Sequence, residues 1–224
     1  MIGRFGLDAP PIDDSLSQMV ESHRSKTGQD YAAILFFGLW GTVDCSTEVR
    51  LYAAYRHLLA NPEDGPAWLE TSRTHLEAGD ADKALSIVDE LLRLDSPGLY
   101  PAVYLEDPEA HRAHILADSG RLDEALEEFD GIRRRHDDSP ALYYAIGSIL
   151  HEKEDFPAAA GAYAEALEAL ERFRLEALEE ESGEDIPFDF AAVRAFIEDA
   201  ERRAENRLPF AGARPIDLSA LREE

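Results

Sequence analysis

The sequence predicts an all-α fold built from stacked pairs of antiparallel helices. Three segments carry this prediction, because each places a turn directly before a helix that opens with small or acidic residues: 79–85, 120–126 and 154–160. The second and third segments begin 34 residues apart, at 120 and 154. The first begins 41 residues before the second, and the additional residues fall within 96–108, where Pro and Gly favour a loop. A period of this length is typical of repeated helix–turn–helix units.

The chain of 224 residues is strongly acidic, with 47 Asp and Glu against 22 Lys and Arg and a formal net charge of −25. This balance argues against non-specific binding of nucleic acid, because phosphate backbones attract cationic surfaces. The chain is also 45% hydrophobic, which is enough to form a core and excludes a disordered acidic tail. Lys is scarce. Acid excess with little Lys is typical of proteins from salt-loving organisms, or of an Arg-rich genome whose proteins have an acidic solvent face.

Residues 1–30 are predicted to form an N-terminal arm with one short helix, from Asp13 to His23. The arm lacks the basic and then apolar pattern of a secretory signal. The most apolar run, 31–43, is shorter than the roughly 20 residues that cross a membrane. The single cysteine, Cys45, cannot form an intrachain disulfide, which fits a reducing compartment. We therefore expect a cytoplasmic protein without a membrane anchor.

The clearest helix pair lies at 140–173. Small residues at Gly147 and Ala159 are expected to let its two helices approach closely, with Tyr163 filling the space beside them. The remaining pattern positions of this pair are Tyr143, Ile146, Leu150 and Ala166. The pair at 65–98 carries Trp68, Ser72, Gly79, Ala84, Val88 and Leu91, and the pair at 106–139 carries Ala113, Leu116, Gly120, Ala125, Phe129 and Ile132.

This pattern resembles the tetratricopeptide repeat, whose signature runs from a large aromatic residue through a Leu-Gly pair to a small residue that opens the second helix. The resemblance implies a right-handed α-solenoid of three repeats at 65–98, 106–139 and 140–173. The segment 31–64 is predicted to be a degenerate repeat. It has Ile34, Phe37 and Gly38 at pattern positions, but Arg50 and His57 stand where small or apolar residues belong.

The two ends of the solenoid need to be covered. The aromatic segment 31–40 has apolar residues on nearly every side, and either Met19 and Val20 of the arm or a second copy of the chain covers it. At the other end, the last repeat helix is predicted to run through 158–181. Residues 182–224 then form a capping helix, opened by Asp189, and a tail. The acidic residues within 165–185 are either the solvated face of an amphipathic helix or an acidic binding strip.

The resemblance implies that partners bind a concave face lined by the first helix of each pair. The partner-binding strip carried over position by position is Leu69, Arg73, Leu76, Ala110, His114, Ala117, Tyr144, Ser148 and His151. These residues form a solvated face or suit a peptide with apolar anchors and a negative group. The strip lacks the Lys and Asn with which one branch of the family holds the C-terminal carboxylate of chaperones, so we do not expect that ligand.

The sequence contains no phosphate-binding Gly loop, paired-Cys metal site, nucleophile elbow or zincin helix. We therefore predict a non-catalytic protein-interaction module, an adaptor or scaffold, without cofactor or metal. One alternative is a self-assembling structural protein that forms a homodimer through Phe37 and Trp40. A weaker alternative is a metal-dependent hydrolase built on His111, His114 and His151, of which the first two form an H-x-x-H pair on one helix face.

Overall fold

The structure is a computed structural model that describes residues 14–28, 31, 46–94, 107–135, 139–180 and 189–211. All regular secondary structure in these residues is helical, so the all-α prediction is confirmed. The helices are α1 (Asp14–Thr27), α2 (Thr47–Ala60), α3 (Gly65–Glu77), α4 (Ala81–Arg93), α5 (Pro108–Asp118), α6 (Leu122–Arg135), α7 (Pro140–Glu152), α8 (Phe156–Glu180) and α9 (Phe190–Glu205). The chain divides into two compact units, Met1–Ile115 and Leu116–Glu224.

In the first unit, helices α2, α3 and α4 each begin after a residue whose side chain caps the helix. The oxygens of Ser46, Asp64 and Asp80 accept hydrogen bonds from the backbone amides of Val49, Ala67 and Lys83, at 3.4, 3.0 and 3.1 Å. Such caps satisfy amides that have no partner inside the helix. Between α3 and α4, Gly79 has a φ of 81° and the amide of Asp80 returns to the carbonyl of His75 at 2.9 Å. These local signals set the helix boundaries.

The core of the first unit is formed by α2, α3 and α4, with one contribution from α1. Trp68 on α3 is 1% exposed, and its indole nitrogen donates to the carbonyl of Pro62 at 2.9 Å. Ile87 and Leu91 on α4 pack into the same cluster as Val20 of α1. The satisfied indole lets Trp68 lie in the core without an unpaired polar group.

Helix α1 is longer than the predicted 13–23 segment. It continues to Thr27 and ends at Gly28, whose φ of 74° and bond from its amide to the carbonyl of Arg24, 2.9 Å, form a helix stop. Met19 and Val20 are predicted to cover the segment 31–40; Val20 belongs to the core cluster of the first unit, and Met19 and Tyr31 both pack against that cluster. The rest of that segment, with Phe37, Trp40 and also Cys45, lies outside the described residues.

The two residues that depart from the repeat pattern on α2 are paired with carboxylates of the next helix pair. Arg50 donates to Glu70 and, at 2.5 Å, to Glu77, both on α3. Burial alone would lower the pKa of Arg50, but these two carboxylates outweigh burial and raise it. His57 lies 2.7 Å from Asp64, the residue that caps α3. The carboxylates therefore stabilise Arg50 and His57 at positions where the repeat pattern has small or apolar residues.

In the second unit, α7 and α8 pack closely at the position that the sequence predicts. A Cβ atom added at Gly147 would lie 2.7 Å from the ring of Tyr163, so only glycine fits this contact. Tyr163 and Ala159 are fully buried. Helix α8 begins at Phe156, two residues earlier than expected, and the predicted break after it lies outside the described residues.

Helix α9 packs along α8 and covers its apolar side. Asp189 caps α9 through the amide of Ala192 at 2.9 Å. The residues that α9 buries are Val193, Ile197, Ala200 and Ala204, against a cluster that includes Tyr163, Ala166 and Leu170. On the other side of α8, Glu165 and Glu168 are exposed. This arrangement supports an amphipathic α8 over its described length, with one buried and one solvated face.

Candidate functional site

The nine residues of the predicted strip fall into two groups by exposure. Arg73, Leu76, Ala110 and His114 are exposed or half-buried, and all four lie in the first unit, on α3 and α5. The other five are buried: Leu69, Ala117, Tyr144, Ser148 and His151. A buried side chain cannot contact a partner directly. The surface of the strip is therefore smaller than the sequence predicts.

The strip residues on α7 are buried by elements of the second unit itself. The ring of Tyr144 lies 5.5 Å from that of Tyr163 and 5.2 Å from that of Phe196 on α9. Ser148 donates to the carbonyl of Ala145 at 2.8 Å within its own helix. Tyr144 and Ser148 are therefore buried within the second unit and add no exposed surface to the predicted strip.

His151 is covered by the segment that follows α9. Its Nε2 donates to the carbonyl of Leu208 at 2.6 Å, and the ring of Phe210 lies 5.6 Å from the imidazole. Arg207, with a φ of 52°, turns the chain after the helix, and the amide of Leu208 returns to the carbonyl of Arg203 at 2.8 Å. His151 is thus a satisfied core histidine.

The accessible residues of the strip lie on two neighbouring helices. His111 on α5 is buried and lies 3.3 Å from the hydroxyl of Ser72 on α3. Arg73, the next residue on α3, donates to Glu70 at 2.9 Å, and its side chain is 44% exposed. Glu70 also accepts from Arg50, so one half-buried carboxylate holds two guanidinium groups. Arg73 therefore offers donors at the surface beside the apolar Leu76.

The histidines of the H-x-x-H pair do not form a recognisable metal centre. Among the residues that the structure describes, no group of three or more His, Cys, Asp or Glu side chains has a metal-binding arrangement. His111 instead bonds to Ser72, and His151 to a backbone carbonyl.

A second concave feature lies in the second unit, between α6 and α8 with α7 at its floor. We call it the α6–α8 groove. Its volume is about 510 Å³, and its lining residues are Asp123, Leu126, Glu127, Asp130, Arg133, Ile146, Leu150, Ala158, Gly161, Ala162 and Glu165. The α6 residues share one face because they are three, four or seven positions apart. This spacing and the glycine inside α8 are the sequence signals of the groove, and neither specifies a site by itself.

The charges of the α6–α8 groove are mostly negative. Asp130 accepts hydrogen bonds from Arg133 at 2.8 Å and Arg134 at 3.0 Å. The bond from Arg134, with further help from Arg133, holds the pKa of Asp130 below its usual value. Lys153 donates to Asp123 at one end of the groove. Glu127 and Glu165 are exposed on opposite walls.

The helix pairs, the glycine turns and the close contact at Gly147 are the features of one repeat family. A family model described as tetratricopeptide repeat matches residues 111–173. Residues 111–173 are thus similar to the tetratricopeptide repeat. No curated protein and no solved structure gives a significant match to it.

The matched residues run from α5 through most of α8, a range that includes the α6–α8 groove. Tetratricopeptide repeats act as protein-interaction modules, and proteins of the family are generally not enzymes. Within the described ranges, no helix has both the length and the apolar character that a bilayer crossing requires.

Proposed function

We propose that this protein is a non-catalytic tetratricopeptide repeat adaptor or scaffold. It holds a segment of a partner protein on the accessible strip, which consists of Arg73, Leu76, Ala110 and His114. The observation that carries the proposal is the contact between Ser72 and His111, 3.3 Å apart. It joins α3 and α5, the two helices that present the accessible strip. A buried contact between the two helices helps to hold their side chains in place, which lowers the entropic cost of binding.

The chemistry of the accessible strip suits a peptide with an apolar anchor and a negative group. Leu76 and Ala110 offer apolar surface, while Arg73 offers guanidinium donors. The Arg73 side chain is 44% exposed, and its bond to Glu70 fixes its position at the surface. Since a guanidinium carries five N–H donors, Arg73 can hold a ligand carboxylate or phosphate while it stays beside Glu70.

The test selects peptides of about ten residues from a random library on the 224-residue chain and then measures their affinities for two variants. Selected peptides are expected to carry an apolar anchor and Asp or Glu. Arg73→Gln and Leu76→Ser are each expected to weaken binding about tenfold. Arg93→Gln is the matched control, because Arg93 forms the same three-residue pair with Glu90, at 2.8 Å, on α4.

Equal affinity for the natural chain and both strip variants would rule out this surface as the binding site. Light scattering on the same samples tests self-assembly through Phe37 and Trp40. A dimer that dissociates when both residues become Ser, without loss of helix content, would replace the adaptor by a structural protein.

A further inference from the structure

We propose that the α6–α8 groove is a second docking site, which binds a basic amphipathic helix of a partner protein. The proposal does not depend on the accessible strip, since the groove residues lie on other helices and within the second unit. It rests on three properties of the groove: an apolar floor between two walls, the sign of its charges, and a helix-interior glycine that leaves space open.

The apolar floor gives the site its shape. Leu126, Ile146 and Leu150 lie at the bottom and are half-buried, so each keeps part of its apolar surface in water. Covering this surface with a partner side chain is favourable at about 25 cal/mol per Å². The α6 wall runs from Asp123 to Arg133, a length of about 15 Å, which matches a partner helix of roughly ten residues.

The negative charges of the groove favour an occupant with positive charge. Among the described residues, its lining has four carboxylates, on Asp123, Glu127, Asp130 and Glu165, and one cation, Arg133. A partner with Lys or Arg on its polar face pairs with these carboxylates. A second copy of this chain is disfavoured as the occupant, because its own net charge is −25.

Gly161 supplies an independent observation. It lies inside α8, where glycine is less favourable than alanine by about 1 kcal/mol. A Cβ atom added there would meet nothing within 4 Å, so packing inside the chain does not require glycine at this position. Gly147 is the contrast, since Tyr163 leaves no space for a side chain there. The open space before Gly161, with Ala158 and Ala162 beside it, is available to an apolar side chain of a partner.

The experiment uses the 224-residue chain and two synthetic peptides of about 12 residues. One is an amphipathic helix with Leu on one face and Lys on the other, and the second has the same composition in scrambled order. Titration calorimetry measures both affinities. The amphipathic peptide is expected to bind about tenfold more tightly than the scrambled one, since only it presents Leu and Lys to the floor and walls together.

Variants locate the binding. Gly161→Trp fills the groove without changing its charge and is expected to weaken binding of the amphipathic peptide about tenfold. The double substitution Glu127→Lys and Glu165→Lys is also expected to weaken binding about tenfold, because it reverses one charge on the α6 wall and one on the α8 wall. Glu205→Lys, at an exposed position on α9 outside the groove, is the charge control and is expected to leave the affinity within about twofold. Circular dichroism and thermal melting establish that each variant is folded.

Three outcomes would overturn the proposal. The first is that the amphipathic peptide does not bind the natural chain. The second is equal affinity for both peptides, which would mean attraction by net charge alone. The third is unchanged affinity in folded Gly161→Trp protein, which would place the peptide elsewhere. If the Gly161→Trp substitution impairs folding, Gly161→Leu takes its place with the same expected loss, and unchanged affinity overturns the proposal equally.

Discussion

The guanidinium of Arg50 on α2 donates to the carboxylate of Glu70 on α3, at a site where the repeat pattern calls for a small residue. Glu70 is only 13% exposed, and Arg73 approaches it from the other side at 2.9 Å. The pair links two successive helices by charge where a close approach of small residues would otherwise link them. A half-buried carboxylate that loses a cation is costly, because the charge stays out of water without full compensation.

Replacing Arg50 by Ala is therefore expected to lower the free energy of unfolding by about 2 kcal/mol. Urea denaturation monitored by circular dichroism measures the change. Arg93→Ala is the control, because Arg93 is 71% exposed and its pair with Glu90 contributes less than about 1 kcal/mol. Equal effects of the two substitutions would show that the Arg50 pair has no special role.

Two helix-interior glycines in the second unit are expected to respond oppositely to alanine. Gly147→Ala places a Cβ atom 2.7 Å from the ring of Tyr163, which is fully buried and cannot move away. The expected loss is about 1–3 kcal/mol. Gly161→Ala meets open space and is expected to gain about 1 kcal/mol from helix propensity. Thermal melts of both proteins check the signs, and a gain at Gly147 would contradict the packing described for α7 and α8.

Glu154 occupies the turn position that Gly79 and Gly120 hold in the other two repeats. Its φ is 61°, close to the left-handed values of 81° at Gly79 and 80° at Gly120. A residue with a Cβ atom is strained in this conformation by roughly 1–2 kcal/mol. Glu154→Gly is expected to raise the free energy of unfolding by about 0.5–1 kcal/mol, less than the strain because glycine also gains entropy in the unfolded chain.

Chemical denaturation of this variant is best compared with that of Gly120→Ala. The second substitution imposes the same strain on α5–α6 and is expected to cost about 1 kcal/mol. If Glu154→Gly proves destabilising, the side chain of Glu154 makes a contribution that outweighs its backbone strain.

His75 is expected to make the stability of the first unit sensitive to mild acid. It is 5% exposed and lies 2.9 Å from the hydroxyl of Tyr55. Burial lowers the pKa of His75 below its usual 6.5, although Asp80 acts in the opposite direction. The unfolded chain then binds a proton near pH 6.5 that the folded chain does not. Stability from neutral His75 is therefore present above about pH 7 and is lost as the pH falls through 6.5.

Unfolding free energies of the natural chain and of His75→Phe, measured from about pH 7.5 to 5, check this expectation. As the pH falls, the unfolding free energy of the natural chain should decrease more than that of His75→Phe. Carboxylates such as Glu21 titrate at lower pH, because hydrogen bonds from Tyr31 and Tyr52 outweigh burial and lower its pKa. A pH-independent difference would mean that His75 is not protected from protonation.

Much of the fold follows from local sequence signals. Asp64, Asp80 and Asp189 act on amides three residues away, and Gly28 and Gly79 adopt conformations that glycine allows at no steric cost. Such interactions lie within one turn of chain, so the sequence shows them directly. The contact of Gly147 with Tyr163 was also predictable, because the repeat register relates the two positions.

The sequence by itself determined the all-α fold and the resemblance of residues 111–173 to the tetratricopeptide repeat, because local residue types specify the caps and turns of the helices. Only the tertiary structure decided which positions reach the surface. Tyr144 and His151 look like groove residues in the repeat register, but α9 and the carbonyl of Leu208 cover them. The α6–α8 groove likewise forms from residues far apart in sequence. The exposure of a side chain depends on which distant helices and segments pack against it, and a local sequence pattern does not specify that packing.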